Sequence, residues 1–239
     1  MSKLAGQRVL ITGGGSGIGL ATARQCLAEG ARVAITGRNE AKLRQAAGDK
    51  LLYHAADLTD PTQAQRMVDD VTARLGGIDV LVNNAGMNIK DRLFRQLTPE
   101  AWRKLVAGNL DGAFHCMLAV LPQMRQRKAG LIINVNSISG KRASPLGGTG
   151  YIAAKFGLRG LAMGVAAEER DNNIRVTSIY PGEVNTPILE DRPEPVTEER
   201  KRAMLQPEDV AAAVLFVATL PPHVAIPELI ITPANAMYL

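Results

Sequence analysis

The sequence predicts an α/β fold, a single doubly wound domain on a seven-stranded parallel sheet with helices on both faces. Three observations carry this expectation. Short apolar runs alternate with helical patterns along the 239 residues. Those runs are continuous rather than alternating in polarity, as expected of strands covered on both faces. No linker, composition break or internal repeat divides the chain, so one domain is expected over residues 1–239.

Arg8-Val9-Leu10-Ile11 reads as the first strand, followed by a helix over residues 17–29. Arg32-Val33-Ala34-Ile35-Thr36 is the second, with a short helix beginning near Asn39. Leu51-Leu52-Tyr53-His54-Ala55 is the third, and Asp60-Pro61 supplies the cap and first-turn proline of the next helix. Asp79-Val80-Leu81-Val82 is the fourth strand, leading to two helices, one around Trp102 and one over residues 109–127. Leu131-Ile132-Ile133-Asn134-Val135 precedes a helix over residues 151–170. Ile174-Arg175-Val176-Thr177-Ser178-Ile179 and Glu228-Leu229-Ile230-Ile231 complete the sheet, with a helix over residues 206–219 between them. Residues 186–205 carry Pro187, Pro193 and Pro195 among charges and read as a mobile lid over one sheet edge.

Hydrophobic residues are 46% and charged residues 21% of the chain, the balance of an ordinary globular domain. No apolar run is expected to reach the roughly 20 residues of a membrane span. The N-terminus does not resemble a secretory segment, so a cytoplasmic protein without a membrane partner is expected. Cys26 and Cys116 fall in apolar helical patterns and read as small buried hydrophobes, and the three histidines show no ligand spacing, so no metal is expected. The net charge is +5, but the basic residues are dispersed and aromatics make up only 4%. The densest cluster, Arg125-Gln126-Arg127-Lys128, ends a helix, where the dipole favours cations. It reads as solvated surface, and no nucleic-acid partner is expected.

The turn Thr12-Gly13-Gly14-Gly15-Ser16-Gly17-Ile18-Gly19 lies between the first strand and helix. Glycines there allow a tight turn and close backbone approach to a pyrophosphate at the helix N-terminus. That context points to dinucleotide binding. Where a free ribose 2′-hydroxyl would be met by an acidic residue at the end of the second strand, this chain has Thr36-Gly37-Arg38. Arg38 offers a planar fork of donors to a 2′-phosphate, so NADP(H) is expected in preference to NAD(H).

Tyr151 and Lys155 stand one helical turn apart on one face. An ordinary tyrosine titrates near ~10 and is a poor proton donor or acceptor at neutral pH. A neighbouring ammonium lowers that value by stabilising phenolate, so the pair predicts acid-base chemistry beside a dinucleotide.

Thr12-Gly13-x-x-x-Gly17-x-Gly19, Asp57, Asn83-Asn84-Ala85-Gly86, Asn109, Ser137, Tyr151-x-x-x-Lys155 and Pro181-Gly182 occur in an order that resembles the short-chain dehydrogenase/reductase family, over essentially the full length. The resemblance implies a Rossmann-type fold and catalytic residues Asn109, Ser137, Tyr151 and Lys155. Tyr151 would exchange a proton with the substrate oxygen, Ser137 would hydrogen-bond that oxygen, Lys155 would hold the nicotinamide ribose, and Asn109 would order a water leading to solvent. Gly13, Ser16, Gly17, Ile18 and Gly19 would line the phosphates, Asp57 and Leu58 the adenine, and Asn83, Ala85 and Gly86 the adenosine ribose region. Pro181, Gly182, Val184 and Thr186 would orient the carboxamide. Ser137 matches the pattern better than Ser139, although its spacing to Tyr151 is one residue longer than usual; Ser139 reads as a turn residue.

The implied activity is that of an NADP-dependent carbonyl reductase or alcohol dehydrogenase acting on a small carbonyl or alcohol. Two alternatives stay open, a 3-oxoacyl-carrier-protein reductase and a dinucleotide-sensing regulator without turnover. The ending Ala236-Met237-Tyr238-Leu239 resembles the acyl reductases, but Ala234-Asn235-Ala236 replaces their usual glycine pair. Arg125, Arg127 and Lys128 could meet an acidic carrier. Family members usually pair the helices over residues 109–127 and 151–170 with copies of themselves, so a homodimer or homotetramer is expected.

Overall fold

Seven runs rich in Val, Ile and Leu form β1 (Arg8–Thr12), β2 (Arg32–Gly37), β3 (Leu52–Ala55), β4 (Val80–Asn83), β5 (Gly130–Val135), β6 (Ile174–Pro181) and β7 (Glu228–Ile231). The computed structural model describes residues 2–236. Met237, Tyr238 and Leu239 of the acyl-reductase-like ending lie outside the described residues. The strands pair in parallel in the order β3-β2-β1-β4-β5-β6-β7. The order reverses between β1 and β4, and a crevice opens beyond their carboxyl ends, where ligands bind in such sheets.

The helices are α1 (Gly17–Ala28), α2 (Glu40–Ala47), α3 (Pro61–Leu75), α4 (Pro99–Val106), α5 (Gly112–Arg127), α6 (Thr149–Glu168), α7 (Glu198–Ala203) and α8 (Pro207–Ala218). Alternate strand residues feed two cores. Val9, Ile11, Val33, Ile35, Val82 and Ile133 pack with residues of α1, α2 and α8. Leu10, Ala34, Leu81 and Ile132 pack with α3, α5 and α6. Both faces are therefore dry, which is why the strands lack polar alternation. Asp60 caps α3 by accepting from the backbone of Thr62 and Gln63, as Asp60-Pro61 predicts.

Three elements depart from expectation. The two helices between β4 and β5 join through a π-helical turn, Ala107–Asp111, into one continuous run, Pro99–Arg127. That run is long and apolar enough by length and composition to cross a membrane, which corrects the expectation that no segment reaches such a length. Its α5 part buries Cys116, Met117, Val120, Leu121 and Met124, a packing role that explains the apolar composition. Secondly, α6 starts at Thr149, two residues before Tyr151, and ends at Glu168. Thirdly, residues 186–205 contain a 3₁₀ turn, Pro187–Asp191, and α7. Glu183 ties them down by accepting from Arg192 at 3.0 Å and Arg200 at 2.9 Å.

The basic cluster is largely exposed, as expected, but its cations are partnered. Arg125 pairs with the nearly buried carboxylate of Glu169, and that hydrogen bond holds the Glu169 pKa low against the opposing effect of burial. Arg127 donates to Gln123 at 3.0 Å and to the carbonyl of Ile78, and Lys128 donates to Asn172 at 2.6 Å. These side chains fasten the end of α5 to its neighbours.

Candidate active site

The crevice holds two adjoining cavities. One of about 420 Å³ lies over the ends of β1, β2 and β3, and one of about 570 Å³ continues over β5 and β6 to residues 186–192. Their shared wall includes Gly13, Ser16, Ala85, Gly86 and Met87.

The glycine-rich turn is held by the chain it faces. Thr12 Oγ1 accepts from the backbone N–H groups of Asn84 and Ala85, both at 2.9 Å. Asn84 Nδ2 donates back to the carbonyls of Thr12 at 2.9 Å and Gly13 at 3.3 Å. A Cβ on Gly19 would collide with the carbonyl of Gly13, so only glycine lets α1 start this close to the turn. No side chain caps α1 at Ser16, whereas Asn39, Asp60 and Thr98 cap α2, α3 and α4. The open N–H groups of the first turn of α1 thus face a cavity, a donor set suited to a dinucleotide pyrophosphate. Arg38 lines both cavities together with Lys42 from the first turn of α2, a second cation that no motif marked.

Asp57 and Leu58 line the smaller cavity. Asp57 Oδ1 accepts from the backbone and hydroxyl of Thr59 at 3.0 and 2.9 Å, and the Leu58 carbonyl bonds His115 Nδ1 at 2.8 Å. Asn83 also lines it, but its amide nitrogen is spent inside the sheet on Asn134 Oδ1 at 3.1 Å.

In the larger cavity Ser137, Tyr151 and Lys155 come together. The Ser137 hydroxyl hydrogen-bonds Tyr151, and Ser137 Oγ also accepts from the backbone of Ser139 at 3.1 Å. Lys155 is 3% exposed; its Nζ sits 5.6 Å from the Tyr151 ring centroid and 3.4 Å from the Val135 carbonyl. Burial pushes the Lys155 pKa down to about 8. The expected effect on Tyr151 is reversed: burial raises its pKa, opposed by the Ser137 hydrogen bond and the charge of Arg92. Arg92 reaches this cavity from the loop before α4.

Asn109 lies in the π-helical turn and is buried. Its Nδ2 donates to the carbonyls of Met87 and Leu105, both at 2.9 Å, and its Oδ1 accepts from the Met87 backbone at 3.1 Å. It fixes the loop that follows β4. Ile18, Pro181, Gly182, Val184 and Thr186 line the larger cavity. Val184 pairs with Leu205 in an isolated parallel bridge, bringing together the two ends of the segment over residues 186–205. Cys26 and Cys116 are buried away from the crevice, and burial raises both thiols to about 12.

The short chain dehydrogenase family model matches residues 7–196. The chain belongs to the short-chain dehydrogenase/reductase family. D-beta-hydroxybutyrate dehydrogenase of Rhizobium meliloti is 37% identical over 189 residues, 76% of this chain and 72% of that one. A closed form of serine dehydrogenase complexed with NADP+ superposes with a TM-score of 0.89 at 30% identity, covering 97% of each chain. An alcohol dehydrogenase of Thermococcus sibiricus complexed with 5-hydroxy-NADP gives 0.87 at 26%, covering 97% of this chain and 98% of that one. This short-chain dehydrogenase/reductase is an oxidoreductase. Of the residues lining its cavities, Arg92, Lys42, Asn136 and Arg192 carried no sequence signal. Arg92 and Arg192 lie in loops without a motif, and only folding brings them to the cavity that Tyr151 lines.

Proposed function

We propose that the protein interconverts a carbonyl and a secondary alcohol with NADP(H), with Tyr151 as general acid and base. The observation that carries this reading is the Ser137–Tyr151 hydrogen bond beside a buried Lys155, in a cavity continuous with the glycine-rich turn. When bound, the nicotinamide supplies hydride to the carbonyl carbon or takes it from the alcohol. In reduction Tyr151 keeps its proton until the substrate oxygen needs it, because burial raises its pKa. Ser137 steadies the charge developing on that oxygen. Lys155 stabilises the phenolate left behind and would hold the nicotinamide ribose. Asn109, by fixing the loop at Met87, would place the main chain that carries a water toward Lys155.

Gly13, Ser16, Gly17, Ile18 and Gly19 would contact the pyrophosphate, Asp57 and Leu58 the adenine, and Asn83, Ala85 and Gly86 the adenosine ribose. Pro181, Gly182, Val184 and Thr186 would orient the carboxamide, under a lid formed by residues 186–205. Arg38 and Lys42, with no acidic residue at the end of β2, favour NADP(H) over NAD(H). The NADP-derived ligands of the two structural relatives support the same preference. The internal bonds of Arg125, Arg127 and Lys128 weigh against an acyl-carrier docking patch there. Phe114, Leu118, Phe156 and Met163 are exposed along α5 and α6, which supports a homodimer or homotetramer. We read it as a cytoplasmic carbonyl reductase.

The test is loss of NADPH absorbance against ketones, β-ketoesters and acyl thioesters, repeated with Tyr151→Phe. Turnover by the wild type and none by the variant, at unchanged NADPH affinity, supports the reading. Tight NADPH binding with no turnover across the panel would favour a sensor instead.

A further inference from the structure

We propose that the substrate bears a carboxylate, bound by Arg92 with Arg192 beside it, at the lid end of the larger cavity. The proposal rests on the reading of this cavity as a carbonyl–alcohol site and names the class of molecule that enters it. Arg92 is 4% exposed, yet it makes no ion pair within 4 Å among the described residues. Its three hydrogen bonds go to neutral backbone oxygens: Nε to Ile89 at 2.6 Å, one terminal nitrogen to Leu146 at 2.9 Å, and the other to Asp191. A guanidinium has five N–H donors, so two remain, and carbonyl oxygens do not cancel its charge. Buried charges are ordinarily paired or serve a ligand.

Arg192 lies on the same wall with a side chain 11% exposed, and its charge, after burial, depresses the Arg92 pKa. Two guanidinia on one wall, both largely out of water, call for counterions. The local carboxylates do not suffice. Glu183 is shared by Arg192 and Arg200, and Asp191 is an exposed lid residue that attracts Arg92 without pairing with it. Glu183 is thus taken up by Arg192 and Arg200, which leaves Arg92 a buried guanidinium with no carboxylate within 4 Å, and its one positive charge matches a monoanion. The flat fork of Arg92 suits a carboxylate in two-point contact.

The position of Arg92 also limits the substrate's length. A Cβ on Gly148 would lie 2.5 Å from Arg92 Cβ, so the stem of Arg92 crosses the main chain immediately before α6, three residues ahead of Tyr151. The acid group therefore sits near the oxygen that Tyr151 serves. Short oxoacids and the matching hydroxy acids fit, with a few carbons at most between the two functions.

Pyruvate, acetoacetate and levulinate, each compared with its methyl ester, test this by kcat/KM with NADPH. At least one acid should exceed its ester by about tenfold or more, the scale of a charge-assisted hydrogen-bond pair. That acid-to-ester ratio should fall toward one in Arg92→Met. Because Arg92 also joins three loops, Arg192→Gln is the second variant, and it should lower the same ratio severalfold. Calorimetric titration of the preferred acid into Tyr151→Phe protein holding NADP+ should show saturable binding, weakened when Arg192→Gln is added. Esters or neutral ketones turned over as well as or better than every acid would overturn the proposal, leave the oxidoreductase reading standing and make Arg92 a strut between loops. Failure of acids, esters and neutral ketones alike to oxidise NADPH would overturn both.

Discussion

The two ends of the crevice are built differently. The dinucleotide end is made of two short segments, Thr12-Gly13 and Asn84-Ala85, that bind each other directly across the β1–β4 switch point through Thr12 Oγ1 and Asn84 Nδ2. The substrate end is assembled by side chains reaching across the sequence. Arg92 alone bonds carbonyls 3, 54 and 99 residues away. One end is a property of two short motifs, whereas the other exists only when the loop before α4, the loop before α6 and the lid come together. Reactions within this family can therefore differ at one end while the other stays as it is.

Breaking the shared chemistry should have the largest effect. Tyr151→Phe should lower kcat by about 10²- to 10⁴-fold, the range of general acid-base catalysis. NADPH binding, measured by fluorescence, should stay within about twofold if the two ends are as separate as they look. Arg38→Ala acts on the other end. It should weaken NADPH by roughly 10- to 100-fold through loss of a charge-assisted contact, with NADH little changed in equilibrium titrations. An equal loss for both cofactors would mean that Arg38 does not distinguish them.

Asn84→Ala removes the side chain that stitches the two turns of the dinucleotide end. It should cost about 1–3 kcal/mol in chemical denaturation and weaken cofactor binding more than it alters acid-base chemistry. The pH response reports on the substrate end. The buried Lys155 has a folded pKa of about 8, below its ordinary value of 10.5. Between those values the unfolded chain binds the extra proton, so stability of the protein without cofactor should rise with pH across that window. Lys155→Met should flatten the rise, as read from melting temperatures at successive pH values. Since the Tyr151 pKa is raised, alcohol oxidation should accelerate toward alkaline pH, while carbonyl reduction stays level through the neutral range.

The smallest effect on chemistry is expected outside the crevice. Leu118→Glu puts a charge on the apolar surface of α5, where Leu118 is 58% exposed. Sedimentation should show a smaller assembly, with the monomer's far-UV spectrum kept. If the wild type already sediments at its monomer mass of 25.5 kDa, the interface assignment fails.

Much of the frame was legible because its signals are local. Continuous apolar runs, Asp60-Pro61 and the glycine-rich turn each act within a few residues, and their strand and helix assignments hold to within about two residues. The same is true of Tyr151 and Lys155, whose spacing alone places them on one helix face. Helix α4 and helix α5 were separable in the sequence, yet the π-helical turn that joins them and carries Asn109 depends on Met87 and Leu105, which only packing brings near. The basic run Arg125–Lys128 illustrates the same limit, since its partners Glu169 and Asn172 lie 44 residues on.

By itself the sequence determined the parallel sheet, the glycine-rich turn and the phenol–ammonium pair, because period, glycine placement and helical offset are short-range rules. The tertiary structure decided the electrostatics of the phenol and the character of the substrate end. Burial outweighs any gain from the neighbouring ammonium and raises the Tyr151 pKa, and Arg92 supplies a charge that no spacing could have placed there. Desolvation and long-range charge depend on what surrounds an atom in three dimensions, and a linear pattern of residues carries no measure of either.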